Sequence, residues 1–134
     1  MTDFVLDPTL ARDSTPITTL GLCALRLIND NRWPWLLLVP KRPSITEVFE
    51  LSPLDQTMLT FETCMAASAL KKVTGAKKIN IGALGNRVPQ FHMHIIARDP
   101  GDDNWPGPVW GFGQAEPWDD DRRAQFIDRI MDTL

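Results

Sequence analysis

Residues 90 to 97 of the chain have the alternating sequence Gln90-Phe91-His92-Met93-His94-Ile95-Ile96-Ala97. Apolar and polar side chains alternate from residue 90 to residue 95, which is the period of a strand with one buried face. The segment therefore predicts a strand over 90–97. Gln90 and both histidines then form one polar row, and the apolar side chains between them point into the core on the opposite face.

The segments before this strand predict three more strands and a helix. Strands are predicted over 20–28, 35–39 and 78–81, and the first two form a hairpin around a polar turn. A helix begins at Pro53, with Ser52 as its cap and Asp55 closing a capping box, and Gly75 ends it. Its core face is predicted from an apolar stripe at steps of three and four residues, namely Leu54, Met58, Phe61 and Met65.

The ends of the chain complete the predicted architecture. The first nineteen residues, with two X-Pro pairs, predict an arm or loop, and residues 99–114 predict a second loop. The acidic run 119–121 and the apolar spacing after it predict a final helix. The order β-β-α-β-β-α, with hairpins in place of repeated βα units, predicts an α+β fold: an antiparallel sheet with a long covering helix and a C-terminal helix.

Composition and charge exclude several classes of protein. The net charge of −3 argues against binding to nucleic acid or to an anionic membrane, because both need a clustered positive field. The longest apolar run, 35–39, is too short to cross a bilayer, and the first residues lack the pattern of a signal peptide. We therefore expect a cytoplasmic protein. Cys23 and Cys64 form no Cys-x-x-Cys pair, which gives no support to a zinc knuckle or a thioredoxin-type site.

The chain has only two histidines, and they lie two residues apart in the predicted strand. Their rings would then share one face at a spacing of roughly 6.5 to 7 Å. Such a pair suits a nucleophile with a neighbouring group that stabilises or protonates the departing oxygen. It also suits metal chelation, although no strong third ligand lies nearby. Two ordinary histidines on a half-exposed strand are the remaining interpretation.

The segment 80–98 resembles the signature region of the histidine triad (HIT) family of nucleotide hydrolases and transferases. The family pattern is His-φ-His-φ-His-φ-φ, where φ is apolar. The apolar positions match, His92 and His94 match the second and third histidines, and Gln90 stands at the first. The resemblance covers roughly residues 20–98. It includes a strand that ends in a turn of proline and basic residues at 39–43.

This resemblance implies a single HIT-like domain over 1–134, with its core at about 20–98 and a C-terminal loop and helix at 99–134. The segment Trp105-Pro106-Gly107-Pro108-Val109-Trp110-Gly111 lies outside the general family pattern. Together with Gln90 it indicates a bacterial branch of the family. Its tryptophans either pack in the loop or fold over the pocket mouth as a lid or subunit contact.

The resemblance also implies a role for each matched residue. His92 would attack the α-phosphorus of a nucleotide and form a covalent nucleotidyl-histidine, and His94 would stabilise or protonate the departing group. Asn86 would contact phosphate, and Asn29 or Asp30 would hold the ribose. The substrate would be a nucleotide, a nucleoside phosphoramidate or a polyphosphate. No metal or cofactor would be needed, and the relatives imply a homodimer with one continuous sheet.

Two departures from the family pattern weaken the set of polar side chains that would orient the nucleophile, His92. Gln90 forms hydrogen bonds but does not titrate, and Trp35 falls where many relatives have a fourth histidine. Orientation of His92 then depends more on backbone carbonyls, with Gln90 and Asn80 as secondary candidates. Gln90 and Asn80 are also predicted, with Asn86, to contact the nucleotide or its phosphate. The alternative to an enzyme is therefore a non-catalytic or very slow nucleotide-binding or interaction module of the same fold. The flanking Arg87 and Arg98 are expected to be solvated, with Arg87 placed to steer phosphate.

Overall fold

The computed structural model describes residues 3–134, which form a five-stranded antiparallel sheet with helices. The strands are β1 (Ser14–Thr19), β2 (Cys23–Ile28), β3 (Trp35–Pro40), β4 (Lys78–Gly82) and β5 (Met93–Arg98). The helices are α1 (Pro8–Asp13), α2 (Pro53–Thr74) and α3 (Asp120–Thr133), with a 3₁₀ turn at Val48–Glu50. The order of the strands across the sheet is β1-β2-β3-β5-β4. The predicted α+β class, with a long covering helix and a C-terminal helix, is confirmed.

The predicted N-terminal arm is wrong for residues 8–19, and residues 1 and 2 lie outside the described part. Residues 8–13 form α1, in which the Asp7 side chain accepts a hydrogen bond from the Thr9 N–H. Residues 14–19 form β1, which pairs with β2. The sequence does not predict β1, because β1 lies at the edge of the sheet and lacks apolar alternation. Pro16 is tolerated there since the register shifts between Pro16 and Thr18.

Two predicted strand starts are three residues too early, whereas the other predicted strand bounds are within one residue of the observed ones. β2 begins at Cys23 instead of residue 20, and β5 begins at Met93 instead of residue 90. The backbone N–H of Phe91 donates to the carbonyl of Ile45 and so takes no part in the ladder. His92 therefore lies just before the strand, and His94 lies within it.

Helix α2 begins and ends as predicted but buries a different face. Ser52 accepts from the Asp55 N–H, and Gly75 ends the helix with a φ of 68°. The carboxylate of Asp55 pairs with Arg42 and does not close a capping box. The predicted core stripe is wrong for Leu54 and Phe61, which are 72% and 66% exposed, whereas Met58 packs half-buried against the main core. The buried face consists of Leu59, Glu62, Thr63, Ala66, Ala69 and Leu70.

This face includes two buried alanines, Ala66 and Ala69. Glu62 is buried there because its carboxylate accepts hydrogen bonds from the backbone N–H groups of Leu22 and Cys23.

The two faces of the sheet are covered by different parts of the chain. On the helix-covered face, α2 and α3 pack over the main apolar core. The opposite, loop-covered face carries two smaller apolar clusters, one around Leu10 and one around Val109. The first is formed by the N-terminal segment and the second by the loop after β5. Within residues 3–134, no helix has the length and apolar character needed to cross a membrane.

Candidate functional site

Both histidines line a groove of about 830 Å³ on the loop-covered face. Their ring centroids are 4.9 Å apart, and each residue is 7% exposed. His94 pairs across the sheet with Leu37 on β3 and with Gly82 on β4, so the central strands hold its position. The apolar side chains on either side of the histidines pack into the helix-covered core, which fixes the direction in which both rings point.

A backbone carbonyl orients His92, as the sequence indicated. Its Nδ1 lies 2.7 Å from the carbonyl oxygen of Gln90. Because a carbonyl oxygen only accepts hydrogen bonds, Nδ1 carries the proton and Nε2 carries the lone pair. The ring is therefore held in the tautomer that suits a nucleophile at Nε2.

A tryptophan orients His94. The indole N–H of Trp35 donates to Nδ1 of His94 over 2.9 Å. The two side chains meet because Trp35 is two residues along β3 from Leu37, the direct partner of His94. Burial, and then the charge of His92, lower the pKa of His94 to about 3. His94 is thus a neutral ring whose Nε2–H can donate a hydrogen bond.

The buried neutral His94 predicts a pH-dependent stability. In the unfolded chain its pKa is near 6.5 and in the folded protein about 3, so the unfolded state binds the extra proton. The contribution of neutral His94 to the free energy of unfolding is complete above pH 6.5. It falls by about 1.4 kcal/mol per pH unit as the pH drops towards 3. We expect urea titrations between pH 6 and 5 to show this slope in excess of that in His94→Asn, whose Oδ1 still accepts from Trp35. Parallel curves for the two proteins would contradict a neutral His94.

The charged side chains of the groove are mostly paired with each other. Arg32 and Asp30 form a buried ion pair, and Arg12 and Asp13 form an exposed one. Arg87 forms no ion pair within residues 3–134 and lies in the turn beside the histidines. A positive charge at this position attracts an anion. The described part of the chain brings no three His, Cys, Asp or Glu side chains together as metal ligands.

The predicted phosphate and ribose contacts have different surroundings. Asn86 is exposed and lines the groove, one residue after Gly85, whose φ of 72° bends the turn. Asn29 and Asp30 also line the groove, but their side chains are engaged. The Asn29 amide bonds Thr15 Oγ1 and the Arg12 carbonyl, while Asp30 accepts from Arg32 and from the Glu116 backbone.

The other two predicted contacts have structural partners. The amide of Gln90 donates to the carbonyl of Val5 and accepts from the N–H of Asp7, so it anchors the N-terminal segment. Asn80 does not orient His92, because its oxygen accepts from Arg98 Nη1 over 3.3 Å. The structure thus brings Asn86 to the groove beside the histidines and places Asn80 away from it.

The loop after β5 supplies a wall of the groove. The ring of Trp110 packs edge-on against His94, with centroids 5.3 Å apart. A Cβ at Gly82 would come within 3.2 Å of Trp110, so glycine permits this approach. Trp105 instead lies beside the guanidinium of Arg98, outside the groove lining. The sequence alone leaves the roles of both tryptophans open, and the structure separates them.

Arg98 is the residue that sequence analysis placed wrongly. It was expected to be solvated, but it is only 1% exposed. Its guanidinium binds the Asp102 carboxylate and the carbonyl of Gly107. Arg98 ends β5 and Asp102 lies in the turn after it, so the four-residue charge spacing that is informative on a helix does not predict this pair. This pair ties the wall of the groove to β5.

Comparisons with known proteins agree with the fold and the motif. The family model described as HIT domain matches residues 10–101. A crystal structure of a histidine triad protein from Sinorhizobium meliloti 1021 is 66% identical, with 98% of this chain and 97% of that chain covered and a TM-score of 0.97. Histidine triad proteins from Bradyrhizobium japonicum and Marinobacter aquaeolei VT8 are 41% and 38% identical, each with 99% of this chain covered and a TM-score of 0.97. The matches cover 99% and 97% of those two chains. A search of the curated proteins found no match.

Proposed function

The chain belongs to the histidine triad family of nucleotide hydrolases and transferases, and we propose that it cleaves or transfers a nucleoside monophosphate through a covalent intermediate on His92. The observation that carries the proposal is the hydrogen bond from His92 Nδ1 to the Gln90 carbonyl. It leaves the Nε2 lone pair free for attack without the loss of a proton. The neighbouring His94 supplies a fixed donor.

In the first step, Nε2 of His92 forms a bond to the α-phosphorus while the bond to the leaving group breaks. The leaving group takes the bonding electron pair, and the positive charge develops on the His92 ring. The Nδ1–H bond to the carbonyl supports that charge. In the second step, water attacks phosphorus, the P–N bond returns its electron pair to Nε2, and the water proton passes to solvent.

The groove supplies stabilisation for the charge on the phosphoryl oxygens. The His94 Nε2–H, the Asn86 amide and the backbone around Gly85 are proposed as donors, and Arg87 adds positive charge. Phosphoryl transfer depends mainly on such positioning and charge stabilisation. The ribose is proposed to lie against the rim at Asn29 and Asp30.

Labelling of the protein with an α-³²P-labelled dinucleoside polyphosphate tests this function. We expect an acid-labile, alkali-stable adduct after rapid quenching, and peptide mass spectrometry is expected to place it on His92. A protein that binds the nucleotide but gives no adduct, in rapid or prolonged reactions, would overturn the proposal. That outcome would favour the non-catalytic nucleotide-binding module.

We also propose a homodimer formed through the edge strand β4. Of the two edges, β1 is interrupted by Pro16 and a register shift, whereas β4 pairs regularly along its length with β5 and has an open opposite edge. Ile81 on β4 is exposed, and the exposed Val48 and Leu84 line one small cavity. A second copy would pair the free backbone groups and cover these side chains.

Sedimentation equilibrium is expected to give twice the chain mass of 15.1 kDa. Ile81→Lys places a charge on the proposed interface and is expected to weaken dimerisation at least about tenfold, a cost of about 1.4 kcal/mol. Met131→Asp, at an exposed apolar residue on α3, serves as the matched control and is expected to leave the mass unchanged. A monomeric wild-type protein would overturn the dimer.

A further inference from the structure

Trp35 restricts His94 to one proton arrangement. The indole N–H is only a donor, so the Nδ1 atom it faces at 2.9 Å must carry a lone pair. A flipped His94 ring would place a carbon against this buried N–H and leave it without a partner. His94 therefore presents Nε2–H to the groove, and its low pKa agrees with this geometry.

Among residues 3–134, the groove also lacks another group able to give up a proton near neutral pH. The chain has no tyrosine and no third histidine. The titratable and charged groups that line the groove with the histidines are Arg12, Asp13, Asp30, Arg32 and Arg87. The arginines hold their protons too strongly, and the aspartates are paired with arginine as carboxylates. Both cysteines lie outside the groove lining.

We propose that Trp35 is a positioning residue that keeps His94 as a neutral Nε2–H donor, and that the site consequently selects nucleotides whose leaving group departs as an anion. This inference rests on the proposed nucleotidyl transfer to His92. The favoured substrates are nucleoside polyphosphates, and nucleoside phosphoramidates of alkyl amines are disfavoured.

The selection between leaving groups follows from where the electron pair and the proton go in each reaction. When a P–O–P bond breaks, the bridging oxygen takes the electron pair and departs as a phosphate oxyanion, which is stable near neutral pH. When a P–N bond to an alkyl amine breaks, the nitrogen takes the pair and must receive a proton as it departs. A neutral imidazole is a poor source of that proton, whereas its N–H still stabilises the phosphoryl oxygens.

The first part of the test is spectroscopic and needs no substrate. Long-range ¹H–¹⁵N spectra of the wild-type protein are expected to show His94 as the Nε2–H tautomer from pH 8 to pH 5, with His92→Asn used to assign the two rings. Trp35→Phe is expected to give a mixture of tautomers and to raise the protonated fraction at pH 5. An Nδ1–H tautomer or an imidazolium at pH 7 in the wild type would overturn the role of Trp35.

The second part compares kcat/KM for a diadenosine polyphosphate and for adenosine 5′-phosphoramidate of an alkyl amine. We expect the wild type to favour the polyphosphate by about 10²-fold or more, the range that general acid catalysis contributes. Trp35→Phe is expected to reduce this ratio at least about tenfold, because the smaller phenylalanine ring admits water beside His94, weakens the burial that lowers its pKa and so gives access to the protonated form. Trp33→Phe is the matched control, because Trp33 is also a buried tryptophan but donates to the Asp103 carbonyl instead.

The outcomes separate the two proposals. Equal wild-type rates on both substrates, or an unchanged ratio in Trp35→Phe, would overturn the leaving-group selection while His92 chemistry stands. The expected tautomer without turnover of either substrate would overturn the proposed function and, with it, the selection, and would support only the positioning role. An equal change of ratio in Trp33→Phe would assign the effect to general packing and contradict the inference.

Discussion

Replacing His92 by asparagine is expected to reduce turnover of a nucleoside polyphosphate by about 10⁴-fold or more and to abolish the covalent adduct. Losses of this size are typical when a nucleophile is removed. Asparagine is chosen because its amide N–H can still donate to the Gln90 carbonyl that holds the ring. The variant should therefore keep the local hydrogen bond and lose only the Nε2 lone pair.

His94→Asn provides the comparison within the same groove. Its Oδ1 can accept from Trp35, and His92 remains available for attack. We expect a smaller loss of about 10² to 10³-fold, as for removal of one donor to a developing oxyanion, and the adduct should still form on His92. Rapid-quench labelling of both variants with one substrate checks the assignment. An adduct in His92→Asn, or a larger loss in His94→Asn than in His92→Asn, would reverse the two roles.

The sequence predicted the central part of the fold because local patterns there agree with the final packing. The alternation at residues 90–95 places apolar side chains in the helix-covered core, and Ser52 and Gly75 bound α2 through local hydrogen bonds and backbone geometry. β1 could not be predicted because its Thr and Pro residues form a strand only through pairing with β2. The exposed stripe on α2 was misassigned since apolar spacing does not show which of two helix faces packs on the sheet.

The candidate site was predictable where one strand positions it and less so where distant segments meet. The spacing of His92 and His94 placed both rings on one face. The donor to His94, however, comes from a neighbouring strand, 59 residues earlier in the chain. Gln90 forms hydrogen bonds with the N-terminal segment, 83 and 85 residues away, and so anchors a groove wall. Such contacts depend on sheet register and chain path, which local sequence does not specify.

The second large effect is expected in Arg98→Met, which should lower the free energy of unfolding by about 3 kcal/mol. Removal of one partner of a buried ion pair typically costs about 3 to 5 kcal/mol. The lower end applies because 17% of the Asp102 side chain is exposed and can become hydrated. The substitution also removes the hydrogen bond to the Gly107 carbonyl and the contacts of the guanidinium with the rings of Trp33 and Trp105.

The same pair predicts a change in the pH dependence of stability. Hydrogen bonding to Arg98 lowers the pKa of Asp102 below its usual 3.8, so the unfolded state takes up this proton first as the pH falls. The contribution of Asp102 is therefore present above pH 3.8 and lost as the pH falls through its folded pKa. In Arg98→Met the pKa of Asp102 is expected to rise, and this acid-dependent loss should shrink.

Urea titrations at pH 7 measure the main effect, and Arg123→Met is the matched control. Arg123 pairs with Asp120, which is 90% exposed, and such surface pairs contribute about 0 to 1 kcal/mol. Arg98→Lys should fall between the wild type and Arg98→Met, because lysine retains a charge but cannot bind both carboxylate oxygens and the Gly107 carbonyl as a planar fork. A loss in Arg98→Met no larger than that in Arg123→Met would mean that Arg98 does not hold the loop. The packing of Trp110 against His94 would then need another support.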